Sequence, residues 1–333
     1  MFMGYGKTYI IGSFNVHNLS LKNGKERAQA IAQIIRQSDM DLVALQEVLS
    51  EQVLKEILTF LGDKKWDATK KIEPKLRREN ERFTKDMRGG GYAFLWKRTR
   101  LKKIETTVNG SVRVYEPRIY YQYKIDKNAG QKELVRNPMY GRFTPKGLGG
   151  GNFEIRIICT HIRFNGERGE EDPSFLALRQ NELDVLSRAL YPKIADRIYG
   201  DGMPSYTILL GDYNMNLRSS SARTAYIKEP QFTLKDGSNI KTIITVQDQL
   251  TTLKRKQNEN MDTANGEYLS NNYDHFTYDS NRLNIIHPRF QSVNVIGDAG
   301  YHSSYYLNHE KYLKEVSDHL PIIIKLSPNA NSL

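Results

Sequence analysis

The feature that most limits how this chain can fold is a unit that recurs along it: a short apolar run bounded by polar residues. Thr8 to Asn15 is built on Tyr9, Ile10, Ile11 and Phe14 and ends in Asn15. Asp41 to Gln46 ends in Gln46-Glu47, and Phe153 to His161 ends in Thr160-His161. Tyr206 to Leu210 is followed by Gly211-Asp212-Tyr213-Asn214. Tyr273-Asp274-His275 precedes a run at Phe276 to Tyr278, and Ser317-Asp318-His319 precedes the last, Leu320 to Leu326. Runs of this length read as strands. Polar clusters at so many strand ends are what a sheet scaffold gives when its loops converge on one site.

Helices are expected between them. Lys25 to Gln37 carries Ile31, Ile34 and Ile35 at helical spacing, and Glu51 to Leu61 is amphipathic on Val53, Leu54, Ile57, Leu58 and Leu61. Pro173 opens a third helix that runs to about Leu190, with proline in the first turn. Strand, helix, strand, helix argues for an α/β unit with parallel pairing. Tyr92 to Trp96 and Tyr140 to Thr144 add strands, as do segments within Ser111 to Ile125, Ile240 to Thr252 and Asn294 to Ile296. Phe153 to His161 alternates apolar residues with Glu154 and Arg156, the pattern of a half-buried strand. His302 and His309 fall in a polar loop, and Trp66 and Trp96 read as core. No repeat or linker divides the chain. One domain is expected over 7–327, with a basic insertion at about 64–90 and a short tail at 328–333.

The 333 residues are 39% apolar and 10% aromatic, enough for a large core. That excludes disorder, a coiled coil or a collagen-like chain as a whole-chain description. The longest apolar runs are four to six residues, so no transmembrane segment is expected. Cys159 is the single cysteine, which excludes an internal disulfide and a thiolate zinc site. With no apolar leader at Met1 to Tyr9, the expected location is cytoplasmic. The net charge is +11 and is concentrated: Lys64 to Lys103 holds fifteen basic and five acidic residues, or +10. Such a patch implies a polyanionic partner, nucleic acid or an anionic membrane.

The polar inventory fits one chemistry. Glu47, Asp212, Asp274 and Asp318 are hard oxygen donors suited to Mg²⁺, with Mn²⁺ as a substitute. His161 and His319 can move protons near neutral pH, and Asn15 and Asn214 can orient a phosphate or a water. Neither an HExxH motif nor a nucleotide-binding GxxxxGK[ST] loop is present. Metal-assisted hydrolysis of a phosphoester is the reaction class this set suggests.

SFNVHNL (Ser13 to Leu19), DLVALQEV (Asp41 to Val48), GYAFLWK (Gly91 to Lys97), ICTHI (Ile158 to Ile162), LLGDYN (Leu209 to Asn214), NYDHF (Asn272 to Phe276) and SDHLP (Ser317 to Pro321) occur in this order. The series resembles the endonuclease/exonuclease/phosphatase superfamily typified by pancreatic deoxyribonuclease. The resemblance implies a four-layer α/β sandwich: two mixed β-sheets packed face to face, with helices outside. It implies Glu47, Asn15 and Asp318 on the metal side and Asp212 and Asn214 positioning water and phosphate. It implies His319 at the scissile phosphate, oriented by Asp274, and His161 at the leaving oxygen. Arg136, in VRNPMYGRF, would donate to the phosphate, with Arg118 as the rival; Arg142 and Arg88 would add substrate contacts. In the deoxyribonuclease branch a glutamate pairs with the histidine matching His161. Gly90 stands there in this chain, and Asp86 is a substitute acid. His275 stands where some members carry Arg or Lys.

The two histidines and the basic segment favour a low-specificity DNA endonuclease leaving 5′-phosphate and 3′-hydroxyl ends, DNA over RNA. A phosphatase or phosphodiesterase on inositol or lipid head groups is the alternative, as are a ribonuclease and a catalytically silent binding module.

Overall fold

A computed structural model describes residues 8–20, 24–69, 91–120, 134, 136–146, 153–163, 173–199, 203–217, 231–236, 239–245, 249–254, 266–281, 284–285, 291–298, 305 and 308–327. Arg88, Asp86, Gly90 and His302 lie outside these residues.

The first large sheet is built on β1 (Tyr9–Leu19), β2 (Leu42–Val48), β3 (Trp66–Ala68) and β4 (Gly91–Lys97). β1 and β2 are parallel, while β4 runs antiparallel to both β2 and β3. The second sheet takes β5 (Leu101–Lys103), β8 (Arg118–Ile119), β9 (Met139–Pro145) and β10 (Glu154–His161). β11 (Ser205–Asp212), β12 (Gln231–Asp236), β13 (Asn239–Thr245) and β14 (Asp274–Asp279) complete it. Its one parallel pair is β10 with β11. β6 (Glu105–Val108) and β7 (Ser111–Val114) form a separate hairpin. β15 (Asn284–Ile285), β16 (Gln291–Ser292) and β17 (Ile322–Ser327) extend the first sheet beyond β1.

Strand alternation explains the layers, because successive side chains point to opposite faces. Ile11, Leu42, Ala44 and Phe94 of the first sheet share one core with Ile155, Ile157, Ile208, Leu210 and Phe276 of the second. The sheets therefore pack face to face. The intervening residues Val43, Leu45 and Val16 join Ile31, Ile34 and Ile57 in a second core, under α1 (Gly24–Gln37) and α2 (Glu51–Leu61). Ile158 and Leu209 meet Leu183, Leu190 and Ile194 in a third, under α3 (Pro173–Asp184) and α4 (Tyr191–Ala195). The order is helix, sheet, sheet, helix. Each isoleucine removed from water in these cores contributes about 1.5–3 kcal/mol.

α2 has the expected bounds, and its ends explain why. The Ser50 hydroxyl accepts from the Gln52 N–H at 3.2 Å. Gly62 stops the helix at φ 91°, donating its N–H to the Leu58 and Thr59 carbonyls.

Several expectations need correction. β10 is buried along its whole length, not half-buried. Glu154 and Arg156 lie inside because Arg142 and the carbonyls of Ile194 and Ala195 complete their partners. Residues 308–315 are no loop: α5 (His309–Glu315) forms there, with Asn308 accepting from the Lys311 N–H at 2.9 Å. The third helix continues through a π-helical turn at Val185–Leu190 into α4. No strand forms at residues 294–296: a turn occupies 295–297, with the strand just before it at β16. Among the described residues, no helix is long and apolar enough to cross a membrane.

Candidate active site

The inter-sheet face that carries the core also carries the site, at its end. On β1, positions 11, 13 and 15 alternate onto that face, which brings Asn15 inward. On β10 the series 155, 157, 159 ends at His161. On β11 the series 208, 210 ends at Asp212, and on β14 the series 278, 276 ends at Asp274. Register lays these side by side: His161 opposite Asp212, and Asp212 opposite Asp274.

The first sheet is irregular where it meets the site. The β1–β2 register shifts after Asn15, and the β2–β4 register shifts after Leu45. Glu47 lies in this break at φ 62°, and Asn214, just past β11, has φ 50°. Left-handed backbone at residues other than glycine is costly and gathers at functional positions. Gly211 has φ 141°, and a Cβ there would stand 1.9 Å from the Thr160 carbonyl oxygen. Only glycine lets β11 run this close to β10 on the approach to Asp212.

One amide bridges the two sheets. Asn15 Nδ2 donates to Glu47 Oε1 at 3.1 Å and to Asp212 Oδ2 at 2.9 Å. The Asn18 N–H donates to Glu47 Oε2 at 2.8 Å, so the Glu47 carboxylate is fixed at both oxygens. Asp212 also accepts the Asn214 N–H at 2.8 Å, and Asn214 Nδ2 donates to the Ile162 carbonyl at 2.7 Å. The GDYN loop is therefore tied to the end of β10.

Two histidines approach the same oxygen of Asp212. His161 Nε2 is 3.5 Å from Asp212 Oδ2 and 3.7 Å from Glu47 Oε1. His319 Nε2 is 3.6 Å from Asp212 Oδ2, while its Nδ1 is 2.8 Å from Asp274 Oδ2. Their protonation diverges. Burial, with the Arg136 and His319 charges, holds His161 well below its ordinary value, so it is neutral. Burial alone would lower His319 too, but Asp274 and Asp212 override it and raise it well above. Burial pushes the Asp212 carboxyl up to about 7, against the opposing pull of His319. Acids and histidines with separated values in one cleft mark a functional site.

Among the described residues, the buried His161 Nδ1 has no hydrogen-bond partner. The His161 backbone N–H is held by the Tyr92 hydroxyl at 3.1 Å. Arg136 sits near enough to lower both His161 and Tyr92 electrostatically, and its buried Nη1 has no partner among the described residues. Arg118 instead lies over the Tyr115 ring with its centroid 5.3 Å away.

The structure thus brings Asn15, Glu47, His161, Asp212, Asn214, Asp274, Asp318 and His319 together, with Arg136 beside them. It does not bring Arg142. That side chain is buried against Glu154, whose residue is seven positions from His161, about 23 Å along the strand. Arg142 is no substrate contact at this site. His275 is no contact either: its Nε2 lies 3.0 Å from the Met215 carbonyl and 2.9 Å from that of Asn272, packed beneath the strands. His309 is buried in α5 and stacks on Tyr268.

The basic segment is divided. Lys97 and Arg100 pair with Asp41, at the end of β2 away from Glu47; Arg98 pairs with Asp67, and Lys103 with Glu116. Residues 70–90, whose formal charge is +4 from eight basic and four acidic residues, lie outside the description. The chain returns at Gly91, paired with Val48 beside Glu47.

Two residues the sequence reading passed over belong here. His17 Nδ1 is 3.0 Å from Asp318 Oδ1, and this pair, opposed by burial, raises His17 above its ordinary value. Arg27 lies behind the Glu47–Asp318 side and bonds three backbone carbonyls. A sign was available for Arg27, since it stands four and seven residues before Ile31 and Ile34, on the apolar stripe of α1.

The donor set suits a hard divalent cation. Asp212, Asp274 and His319 offer ligand atoms within 4.8 Å of one another, and Glu47 and Asp318 add carboxylates at the same sheet edge.

Two mixed sheets flanked by helices, with acids and histidines gathered at one edge, define a scaffold for phosphoester hydrolysis. The endonuclease/exonuclease/phosphatase family model matches residues 12–282, and the chain belongs to that family. Solved structures agree on the fold. A family member from Bacteroides thetaiotaomicron aligns at 15% identity and TM-score 0.55, over 97% of this chain and 98% of the other. A mannosyl-6-phosphatase from the same species aligns at 15% and 0.53, over 96% and 99%. D. rerio TDP2 complexed with a single-strand DNA product aligns at 14% and 0.53, over 97% and 100%. No curated protein matches the sequence.

Proposed function

We propose that the chain is a divalent-metal-dependent phosphodiesterase acting on nucleic acid, DNA before RNA, through one catalytic domain spanning 7–327. The observation that carries the reaction class is the row His161–Asp212–His319–Asp274 joined to Glu47 through Asn15. Glu47, Asp318 and the Asn15 amide would hold the metal, Mg²⁺ or Mn²⁺. Bound there, the ion would supply Lewis-acid charge to a phosphoryl oxygen.

The protein groups divide the remaining work. Asp212, raised by burial, takes the proton of the attacking water. Asn214 fixes its carboxylate, and Arg136 offers a donor to the phosphoryl oxygens. His319 is held charged by Asp274 and places that charge against the phosphate. His161 stays neutral, and its Nε2–H hydrogen-bonds the leaving oxygen, which takes its proton from solvent water. In this reading the products carry 5′-phosphate and 3′-hydroxyl ends. Nucleic acid is favoured by the +11 charge and by the guanidinium nitrogen beside His161 that has no hydrogen-bond partner among the described residues.

The test is purified protein on supercoiled plasmid, with Mg²⁺ or chelator, beside Glu47→Gln and His319→Ala. The expected result is metal-dependent nicking by the wild type only, weakening steeply as salt rises. Folded, metal-loaded protein that leaves plasmid intact but releases phosphate from a sugar or inositol monoester would overturn the nucleic-acid reading.

A further inference from the structure

Two segments far apart in sequence must hold one geometry at the site. One is Asn15-Val16-His17 at the end of β1; the other is Val316 to His319, before β17. His17 and Asp318 pair across this junction, Nδ1 to Oδ1 at 3.0 Å. Both His17 and Asn18 have left-handed backbone, φ 43° and 50°, so the β1 segment needs support from outside itself.

The support is explicit. Arg27 reaches from α1 into the junction and is almost fully buried. Its Nη2 donates to the carbonyls of Val16 at 2.7 Å and His17 at 2.8 Å. The same nitrogen donates to Val316 O at 2.6 Å, and Nε adds a bond to that oxygen at 3.1 Å. Ser317 closes the junction from the other side. Its hydroxyl donates to the Asn15 carbonyl at 2.7 Å and accepts the His319 N–H at 3.1 Å. A buried guanidinium is destabilising unless its donors are engaged and acids lie near. Here Glu47 and Asp318 are those acids, and the carbonyls engaged are those that set the site's backbone.

We infer that Arg27 and Ser317 are positioning residues: a clasp that fixes Asn15 and His17 against Asp318 and His319 before any substrate arrives. Lysine at position 27 keeps the charge but loses the planar fork that reaches carbonyls of both segments. The clasp acts through the site and touches no substrate. Its role rests on the proposed reaction only for the kinetic arm of the test.

The experiment uses the full chain with Arg27→Lys and Ser317→Ala. Long-range ¹H–¹⁵N spectra of the histidine rings are recorded without metal or substrate. The rings of His17 and His319 are expected to shift or broaden in both variants, while His275 and His309 stay in place as internal controls. In the kinetic arm, kcat on plasmid or on a nitrophenyl phosphodiester falls about tenfold or more in Arg27→Lys, with KM within about threefold. Ser317→Ala moves the same rings by less. Unmoved His17 and His319 rings in Ser317→Ala overturn the clasp, even if Arg27→Lys does not fold. Equal movement of all rings in both variants also overturns it, because that is general loosening. Moved rings in an enzyme inactive on every phosphodiester would keep the clasp and overturn the proposed reaction instead.

Discussion

The two ends of the β10–β11 pair both bury charge, and they do so in opposite ways. At the Glu154 end, one carboxylate is shared by two arginines. Arg142 donates through Nε at 3.0 Å and through Nη2, and Arg156 donates through its own Nε. Arg156 Nη1 continues to the Ile194 carbonyl at 2.6 Å, and the Arg142 guanidinium lies 3.4 Å from the Tyr199 ring centroid. At the His161 end, the acids and histidines keep spare capacity. Asp274 Oδ1, His161 Nδ1 and Arg136 Nη1 are buried without hydrogen-bond partners among the described residues. A saturated buried network rigidifies a fold, whereas an unsaturated one waits for something to complete it. The same two strands carry a structural end and a chemical end, separated by seven residues.

Substitutions should break the two ends differently. The largest effect belongs to the chemical end. Glu47→Gln and Asp212→Asn are expected to lower kcat by about 10³-fold or more, as lost charge stabilisation in a desolvated site does. Their melting temperatures should stay within a few degrees of wild type, because each removes a charge from a cluster of like charges. A large fall in melting temperature in either variant would assign that acid to the structural class.

The next effect belongs to the structural end. Glu154→Gln leaves two buried guanidiniums without their carboxylate, and breaking a buried pair costs about 3–5 kcal/mol. Denaturant unfolding measures it. Turnover per folded molecule should equal wild type within about twofold, which Asp212→Asn cannot match. Loss of turnover at constant stability would erase the distinction between the ends.

Gly211→Ala tests the path between them. A methyl group there meets the Thr160 carbonyl at 1.9 Å in backbone of φ 141°. The strain should cost about 1–3 kcal/mol. It should also shift Asp212 relative to His161, so kcat falls along with stability. An alanine variant with wild-type kcat and stability would show that the close approach of β10 and β11 is not what seats Asp212.

The two ends also differ in how much the sequence disclosed. That Asn15, Glu47, His161, Asp212, Asp274 and His319 meet at one sheet edge was legible because each closes or opens an apolar strand. Strand period then decides which face it takes. Glu154 and Arg156 were misread for a physical reason. Alternating charge marks a solvent face unless distant partners neutralise it. Here the partners are Arg142, twelve residues before Glu154, and the Ile194 carbonyl, thirty-eight after Arg156. α5 escaped notice because it is seven residues long and buries only His309 and Tyr312 on its packed face. His17 was hidden inside a motif whose asparagine took the attention. The basic segment was legible as charge but not as place, since Lys97 and Arg100 spend theirs on Asp41 at the opposite end.

Cys159 gives the smallest and finest probe, because it sits on β10 between the two ends and faces the inter-sheet core. Its Sγ lies 3.1 Å from Gln46 Nε2, and burial pushes the thiol up to about 12. A thiol reagent reacts with the thiolate, so the native protein should resist labelling at pH 8, where an exposed cysteine would react readily. Labelling then reports how often the strand opens. Glu154→Gln lowers the opening free energy and should speed labelling by at least about tenfold, since each 1.4 kcal/mol is one decade. Asp212→Asn should leave the rate within about threefold of wild type. Equal acceleration in both variants would mean that the chemical end also holds the strand shut, and that β10 opens as one unit from Glu154 to His161.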